Sequence, residues 1–334
     1  MTWPARKILI TGSSGHLGEA LVRTLKQQGH GTVGLDIVAS PQTDWVGSIT
    51  DAGTVARAMQ GVDAVLHTAT LHKPHVATHS RQQFVDTNIS GTLTLLEAAL
   101  REGVQAFVFT STTSVYGDAL VPPPGQPAAW ITEDVVPVPK NIYGATKAAA
   151  EDLCQLFHRH HGLPCLVLRT SRFSPEADDL AERRDAFDDD NLKVIELLYR
   201  RADIHDIVTA HLCAMARAPA LGFGKFIVSA TTPFERGDLA RLRTDPSAVL
   251  RERVPAFEPV FQRLGWRMLD AFDRVYVNQR ARDGLGWRPE HSFASAIQAL
   301  QQGQDWRSPL ARSIPTKGYH PGRQDGGIYP LLAG

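Results

Sequence analysis

At 334 residues the chain is longer than one average domain, and its 43% hydrophobic and 21% charged side chains suit a folded globular body rather than a disordered or fibrous one. Lys plus Arg balance Asp plus Glu at 35 each, which leaves no basic footprint for nucleic acid and points to a small molecule as partner. Cys154, Cys165 and Cys213 have neither paired nor metal-type spacing, and no run approaches the ~20 apolar residues that cross a bilayer, so a reduced, cytoplasmic protein outside the membrane is expected.

The first apolar run, 7–11, ends in a glycine loop; with only Ile8, Leu9 and Ile10 before the glycine it reads as a strand and not a signal peptide. Onward to about 170, strand-like runs at 32–36, 64–68, 105–111 and 163–169 alternate with amphipathic helical patterns at 17–28, 51–60, 81–101 and 143–161. Such alternation predicts βαβ units and an α/β fold, a Rossmann-type doubly wound parallel sheet. After Arg169 the pattern breaks into an acidic stretch, 176–190, whose Asp188, Asp189 and Asp190 are expected to favour the dipole of a helix beginning near Asn191. A helix at 206–217, a strand at 225–229 and a turn at 285–289 are expected to build a smaller C-terminal substrate-binding lobe. The organisation predicted is 1–170 for the cofactor-binding domain, 171–308 mainly for the substrate lobe with some chain returning to the core, and 309–334 for a surface tail.

Between the first strand and the first helix stands Thr11-Gly12-Ser13-Ser14-Gly15-His16-Leu17-Gly18. Small residues there let the backbone approach a pyrophosphate, whose charge the N–H groups and the positive end of the following helix stabilise. Gly12, Ser14, Gly15, His16, Leu17 and Gly18 are therefore candidate cofactor contacts. Asp36 ends the second strand. Its carboxylate can accept hydrogen bonds from both adenosine ribose hydroxyls and repels a 2′-phosphate, and Ile37, Val38, Ala39 and Ser40 supply no Arg to hold one. The combination selects NAD over NADP.

Tyr143 and Lys147, at i and i+4, share one face at the start of a helix. A phenol is a poor base at neutral pH unless a neighbouring positive charge stabilises the phenolate, and Lys147 supplies that charge. Tyr143 would then take a carbinol proton as hydride leaves toward NAD, with Lys147 holding the nicotinamide ribose.

These motifs resemble the short-chain dehydrogenase/reductase superfamily, and others covering most of residues 6–300 resemble its extended branch, the NAD-dependent epimerase/dehydratase family that includes the UDP-glucose/galactose 4-epimerases. Ser48-Ile49-Thr50-Asp51 looks like the adenine-flanking segment, although the family commonly has Asp where Ser48 stands. His67-Thr68-Ala69 looks like the strand end under the cofactor, and Asn88-Ile89-Ser90-Gly91-Thr92 like the helix motif supporting it. Ile131-Thr132-Glu133-Asp134 looks like the lead-in to the catalytic tyrosine, and Leu168-Arg169 like the strand after its helix. The resemblance implies cofactor contacts at Ser48, Ile49, His67, Thr68, Ala69, Asn88, Thr110, Ser111, Tyr143, Lys147 and Arg169, and a homodimer through 81–101 and 143–161. It also selects Thr112 as the hydroxyl that orients the substrate oxygen, because the family's catalytic Ser/Thr stands four residues before the tyrosine of Val-Tyr-Gly, here Tyr116.

Dehydratases of that family carry Asp-Glu directly after the catalytic hydroxyl, where this chain has Thr113 and Ser114, so the acid and base that elimination requires are missing. What the resemblance leaves is epimerisation of a sugar or nucleotide-sugar, or net oxidation or reduction of a hydroxylated substrate, both served by Thr112, Tyr143 and Lys147. A redox-sensing NAD-binding regulator would need the glycine loop but not the Tyr/Lys pair. Substrate contacts are expected at Thr112, Thr113, Arg172, Asn191 and Arg201; Arg201 is placed like the family's phosphate-binding Arg, and Arg172 stands where the family usually has Asn. His72, His75 and His79 follow the fourth strand at spacings of three and four. Zinc would need a further ligand, with His67 the nearby candidate, so no metal is expected there. The segment reads instead as a solvated loop or one from which a His or Lys73 touches substrate over the nicotinamide.

Overall fold

The computed structural model describes residues 6–173, 175 and 181–317; part of the predicted acidic stretch, 176–180, and of the predicted tail, 318–334, lies outside the described residues. The central strands are β1 (Lys7–Thr11), β2 (Gly31–Asp36), β3 (Trp45–Val46), β4 (Ala64–His67), β5 (Ala106–Thr112), β7 (Cys165–Thr170) and β10 (Phe223–Val228). They form one seven-stranded parallel sheet in the order β10-β7-β5-β4-β1-β2-β3. All of β4 and β7, and all of β1 after Lys7, is buried, because a parallel sheet is covered on both faces and its strands read as unbroken apolar runs. Successive side chains alternate between faces. Ile8 and Ile10 pack with α1 (His16–Gln27) and α8 (Ile204–Leu221), whereas Leu9, Val65 and Phe107 pack with α2 (Ala52–Met59), α4 (Gly91–Arg101) and α5 (Ile142–His161).

Two elements assigned by sequence to the small lobe belong to this sheet layer. The helix around 206–217 is α8, and the strand at 225–229 is β10, hydrogen-bonded to β7. Their apolar residues explain the placement: Ile207, Val208, Phe226 and Val228 join the core that contains Leu166 and Leu168. The single helix expected at 81–101 is interrupted. After α3 (Arg81–Val85) comes a π-helical turn, Asp86–Ser90, and then α4; the widened turn carries the buried Asn88.

The smaller lobe has its own core, in which Phe257, Phe261, Phe272 and Phe293 meet. Around it lie α7 (Asp189–Glu196), α10 (Phe257–Leu264) and α12 (Phe293–Gln301). Two short parallel pairs tie the lobe to the domain: β6 (Ala129–Ile131) with β11 (Arg274–Tyr276), and β8 (Arg172–Phe173) with β9 (Arg201–Ala202). The acidic run does what its position predicts for a helix start, since Asp188 Oδ1 accepts from Asn191 N at 3.0 Å and Asp189 and Asp190 occupy the first turn of α7. The expected tail begins with a helix, Pro309–Ser313, and Ala311 and Ile314 enter the main core; Lys317 then pairs with Glu19 on α1. Among the described residues no helix is long and apolar enough to cross a membrane.

Candidate active site

A cleft of about 1260 Å³ opens along the C-terminal ends of β1, β2, β4, β5 and β7, where doubly wound sheets hold ligands. At its cofactor end Gly12 has φ +71°, and a Cβ there would fall 2.8 Å from Ala69 N, so only glycine lets the loop turn against the end of β4. Gly15 is the N-cap of α1, and the first-turn N–H groups of the helix begin at the cleft wall with His16, Leu17 and Gly18. Asp36 is 4% exposed and lines the same wall; its carboxylate accepts from Ser14 N and Val38 N, each at 2.9 Å. Ser48, Ile49, Thr68 and Ala69 line the cleft as well. Close-approach glycine, helix N-terminus and buried carboxylate fit the pyrophosphate and adenosine ribose of NAD.

Three expected cofactor contacts stand behind the wall. Ser14 Oγ donates to Val38 O at 2.9 Å, turning that side chain away from the cleft. His67 is held between Thr11 Oγ1 at 2.8 Å and Thr92 Oγ1 at 3.0 Å, and burial, reinforced by the Lys147 charge, keeps the imidazole well below its usual range and neutral. Asn88 accepts from Thr70 Oγ1 and Leu71 N and donates to Leu71 O and Thr146 Oγ1. Its four bonds, at 2.9 to 3.0 Å, join the loop after β4 to the helix carrying Tyr143.

At the centre of the cleft β5 ends with Thr112, whose Oγ1 accepts from Ser114 N at 3.0 Å. Asn141 caps α5, its Oδ1 accepting from Gly144 N at 3.1 Å, which sets Tyr143 in the first turn. A Cβ on Gly144 would lie 2.7 Å from Ser114 O, so glycine allows the helix start to press against the end of β5. Tyr143, 8% exposed, lines the cleft with Thr112. Lys147, one turn further, lies beneath the wall at 2% exposure, its Nζ 3.9 Å over the Phe109 ring. Burial pushes its ammonium down to about 7 against the opposing influence of Cys154 and Glu151.

Thr110 and Ser111 line the cleft, with hydroxyls bonded to His211 Nε2 at 2.8 Å and to Glu151 Oε1 at 2.6 Å. Arg169, expected against the cofactor, is 2% exposed and faces Glu151 instead, Nη2 to Oε2 being 2.7 Å, because a guanidinium this deeply buried needs a carboxylate.

The substrate end separates the expected residues. Thr113 and Arg172 line the cleft; Arg201 and Asn191 do not. Arg201 is fully buried on Glu196, Nε to Oε2 2.8 Å, and Asn191 Oδ1 accepts from Arg267 N at 3.2 Å. Glu196, itself fully buried, also receives Arg172 at 3.1 Å and Arg200, and this need for cations draws Arg201 inward. Arg200, Tyr199, Arg274 and Tyr276 line the cleft and were missed by sequence reasoning. Arg200 had one signal, its place beside Arg201, whereas Arg274 and Tyr276 sit on a three-residue strand too short to show a period.

His72, His75 and His79 also line the cleft, with consecutive ring centroids 4.5 and 4.9 Å apart. His72 N donates to His75 Nδ1 at 3.1 Å, and burial, then the neighbouring His79, pushes His75 to about 4, so the ring is neutral. Among the described residues no three His, Cys, Asp or Glu side chains are grouped to hold a metal ion.

A sequence model of the NAD dependent epimerase/dehydratase family matches residues 8–222. Over 125 residues, 34% of each chain, this chain is 38% identical to a 3 beta-hydroxysteroid dehydrogenase/Delta 5-->4-isomerase of Mycobacterium tuberculosis, a match spanning about a third of that relative. Over 340 residues, 91% of this chain and 95% of the relative, it is 28% identical to a dTDP-glucose 4,6-dehydratase of Streptomyces antibioticus. The crystal structure of a UDP-glucose 4-epimerase of Thermotoga maritima with UDP-glucose shares the fold: TM-score 0.60 at 22% identity, over 89% of this chain and 99% of that one.

Proposed function

The chain belongs to the NAD dependent epimerase/dehydratase family and is an NAD-dependent enzyme of the extended short-chain dehydrogenase/reductase type, and on that basis we propose that it abstracts hydride from a carbinol of a sugar or nucleotide-sugar and returns it as an epimerase. The observation that carries this reading is the junction of β5 and α5, where Thr112 and Tyr143 face one cleft with Lys147 a helical turn behind. Thr112 orients the substrate oxygen, Tyr143 takes its proton, and the Lys147 charge favours the phenolate. Bound NAD supplies the hydride acceptor. Gly12, the start of α1 and Asp36 hold the cofactor's pyrophosphate and ribose. The residues after Thr112 are Thr113 and Ser114, so elimination of water finds no adjoining carboxylate and the dehydratase reaction is disfavoured.

A net dehydrogenase is the second reading, favoured by the 38% identity to a hydroxysteroid dehydrogenase over the matched third of the chain. One experiment separates them: incubation with NAD and a panel of UDP-glucose, UDP-galactose and dTDP-glucose, following absorbance at the NADH band and the epimer ratio by NMR. Epimer without net NADH is expected; stoichiometric NADH without epimer overturns epimerisation in favour of the dehydrogenase.

A further inference from the structure

Tyr143, Lys147 and Glu151 are spaced four apart along one stripe of α5, and all three are buried. The first two belong to the proposed chemistry; Glu151 lies outside the cleft wall, at 1% exposure, with a carboxylate on which three elements converge. Ser111, the residue before Thr112 on β5, donates to Oε1 at 2.6 Å. Arg169 on β7 donates through Nε at 3.0 Å to Oε1 and through Nη2 at 2.7 Å to Oε2. Lys225 on β10 approaches Oε2 at 3.2 Å. Arg169 in turn donates to the Tyr116 hydroxyl at 3.0 Å, so the turn after Thr112 is tied to the same carboxylate. Ser111 and Arg169 are register partners in the sheet, as are Thr112 and Thr170 beside them, and this places the bonds directly beside the end of β5.

We propose that Glu151 is a positioning residue for the catalytic pair: its carboxylate locks the end of β5, with Thr112, against the face of α5 that bears Tyr143 and Lys147, and sets a negative charge one helical turn beyond the Lys147 amine. This inference rests on the roles proposed above for Tyr143 and Lys147.

Two groups on α5 oppose the burial of the Lys147 charge, Cys154 and Glu151, and of these Glu151 is the carboxylate. From β4 it meets His67, a neutral ring between two threonine hydroxyls. From β5 it meets the Phe109 face. Arg169 and Lys225, from β7 and β10, are cations gathered on Glu151. On α5 itself stand Tyr143, Cys154 and Glu151; Cys154 is a buried thiol near Cys165, whose own ionisation burial pushes well up. Glu151 is the carboxylate of the group: burial would raise it, but bonds and charge from Arg169, with Lys225 and Ser111, hold it below the usual carboxylate range and ionised. Removing that charge sets two cations against a third in a medium that screens poorly.

The test reads Lys147 directly and without catalysis. Protein grown with 13C,15N-lysine is titrated by NMR at Cε and Nζ, and the Lys147→Met spectrum assigns the resonance. The wild-type amine should titrate near 7. Glu151→Gln should lower that midpoint by about one unit or more, a tenfold fall in the ratio of charged to neutral amine, while Glu151→Asp, with carboxylate kept, should titrate within about 0.3 unit of wild type. If Glu151→Gln does not fold, the charge-balanced Glu151→Gln/Arg169→Gln protein replaces it and should still titrate about half a unit low. A folded protein of either kind with an unmoved Lys147 midpoint overturns the proposal. The proposed roles of the pair fail separately: Lys147→Met would then retain both NAD affinity and turnover, whatever Glu151 does to the titration.

Discussion

On the cofactor wall of the cleft, Gly12, Asp36 and Thr112 stand at or just beyond the ends of β1, β2 and β5, strands whose neighbours bury them on both faces. On the facing wall, Arg172, Arg200 and Arg274 come from a two-residue strand, a turn and a three-residue strand, and the first two are fastened to Glu196. Backbone hydrogen bonding positions Gly12 and Asp36 on the first wall, with the end of β5 braced in addition by Glu151; the Arg172 and Arg200 part of the second lies on the surface of the cleft and relies on a buried glutamate, Glu196. The difference teaches where each is vulnerable: the cofactor wall to changes in chemistry that leave the fold intact, the substrate wall to changes in charge that loosen it.

Tyr143→Phe is the strongest test on the first wall. Losing the proposed proton acceptor should lower turnover of the responsive sugar nucleotide about 10²- to 10⁴-fold, with NAD affinity by calorimetry within about threefold of wild type. Unchanged turnover would remove the mechanism; an equal collapse of NAD affinity would mean that this wall is held by side chains after all. On the second wall the counterpart is Glu196→Gln. Taking the carboxylate from the fully buried Arg201 should cost about 3 kcal/mol in urea unfolding. A loss below about 1 kcal/mol would show that the arginines are held by other means and would erase the contrast between the walls.

The same contrast explains what could be read from the sequence. The alternation of apolar runs with helical patterns is enough to place most sheet strands within two residues of their observed limits, because a doubly buried strand must be a continuous apolar run. Gly12, Asp36, Thr112 and Tyr143 line the cleft because a strand end or a helix start fixes where they point. Arg169 and Arg201 misled because charge on a residue does not say which way it turns. Each has a buried glutamate partner, Glu151 and Glu196, that no spacing announced. The lobe assignment of β10 failed for a related reason: a crossover strand carries no mark of the neighbour it joins. Arg274 and Tyr276 enter the cleft through pairing of β11 with β6, more than 140 residues earlier, a long-range contact that local pattern cannot encode.

Acidity sharpens the account of the first wall. Lys147 falls from 10.5 to about 7 on folding, so between those values the unfolded chain binds the extra proton and stability rises with pH; the cost of burying the charge is fully present below about 7. Relative to Lys147→Met, wild type should therefore gain up to about 1.4 kcal/mol per pH unit between 7.5 and 9.5 in urea unfolding. A difference independent of pH over that range would show that the amine keeps its ordinary affinity for a proton and is not sealed beneath the wall.

Asp36→Ala asks for a smaller, selective effect. NAD should weaken about tenfold more than NADP if, as proposed, the carboxylate bonds the ribose of one cofactor and repels the 2′-phosphate of the other. Equal losses, measured side by side by calorimetry, would reduce Asp36 to a brace for the backbone of Ser14 and Val38, bonds it already makes.

The smallest effect is expected where the walls meet solvent. Asp118 and Lys140 both line the cleft and approach to 3.6 Å, yet their side chains are 53% and 75% exposed. An ion pair this open is screened by water and salt and is worth at most a few tenths of a kcal/mol. Asp118→Asn should therefore leave the urea midpoint within error of wild type, in contrast to Glu196→Gln, while retaining the shape of the cleft mouth. If it destabilises the protein by as much as the Glu196 change does, burial is not what separates strong pairs from weak ones here, and the reading of the substrate wall as a structure built on buried charge loses its footing.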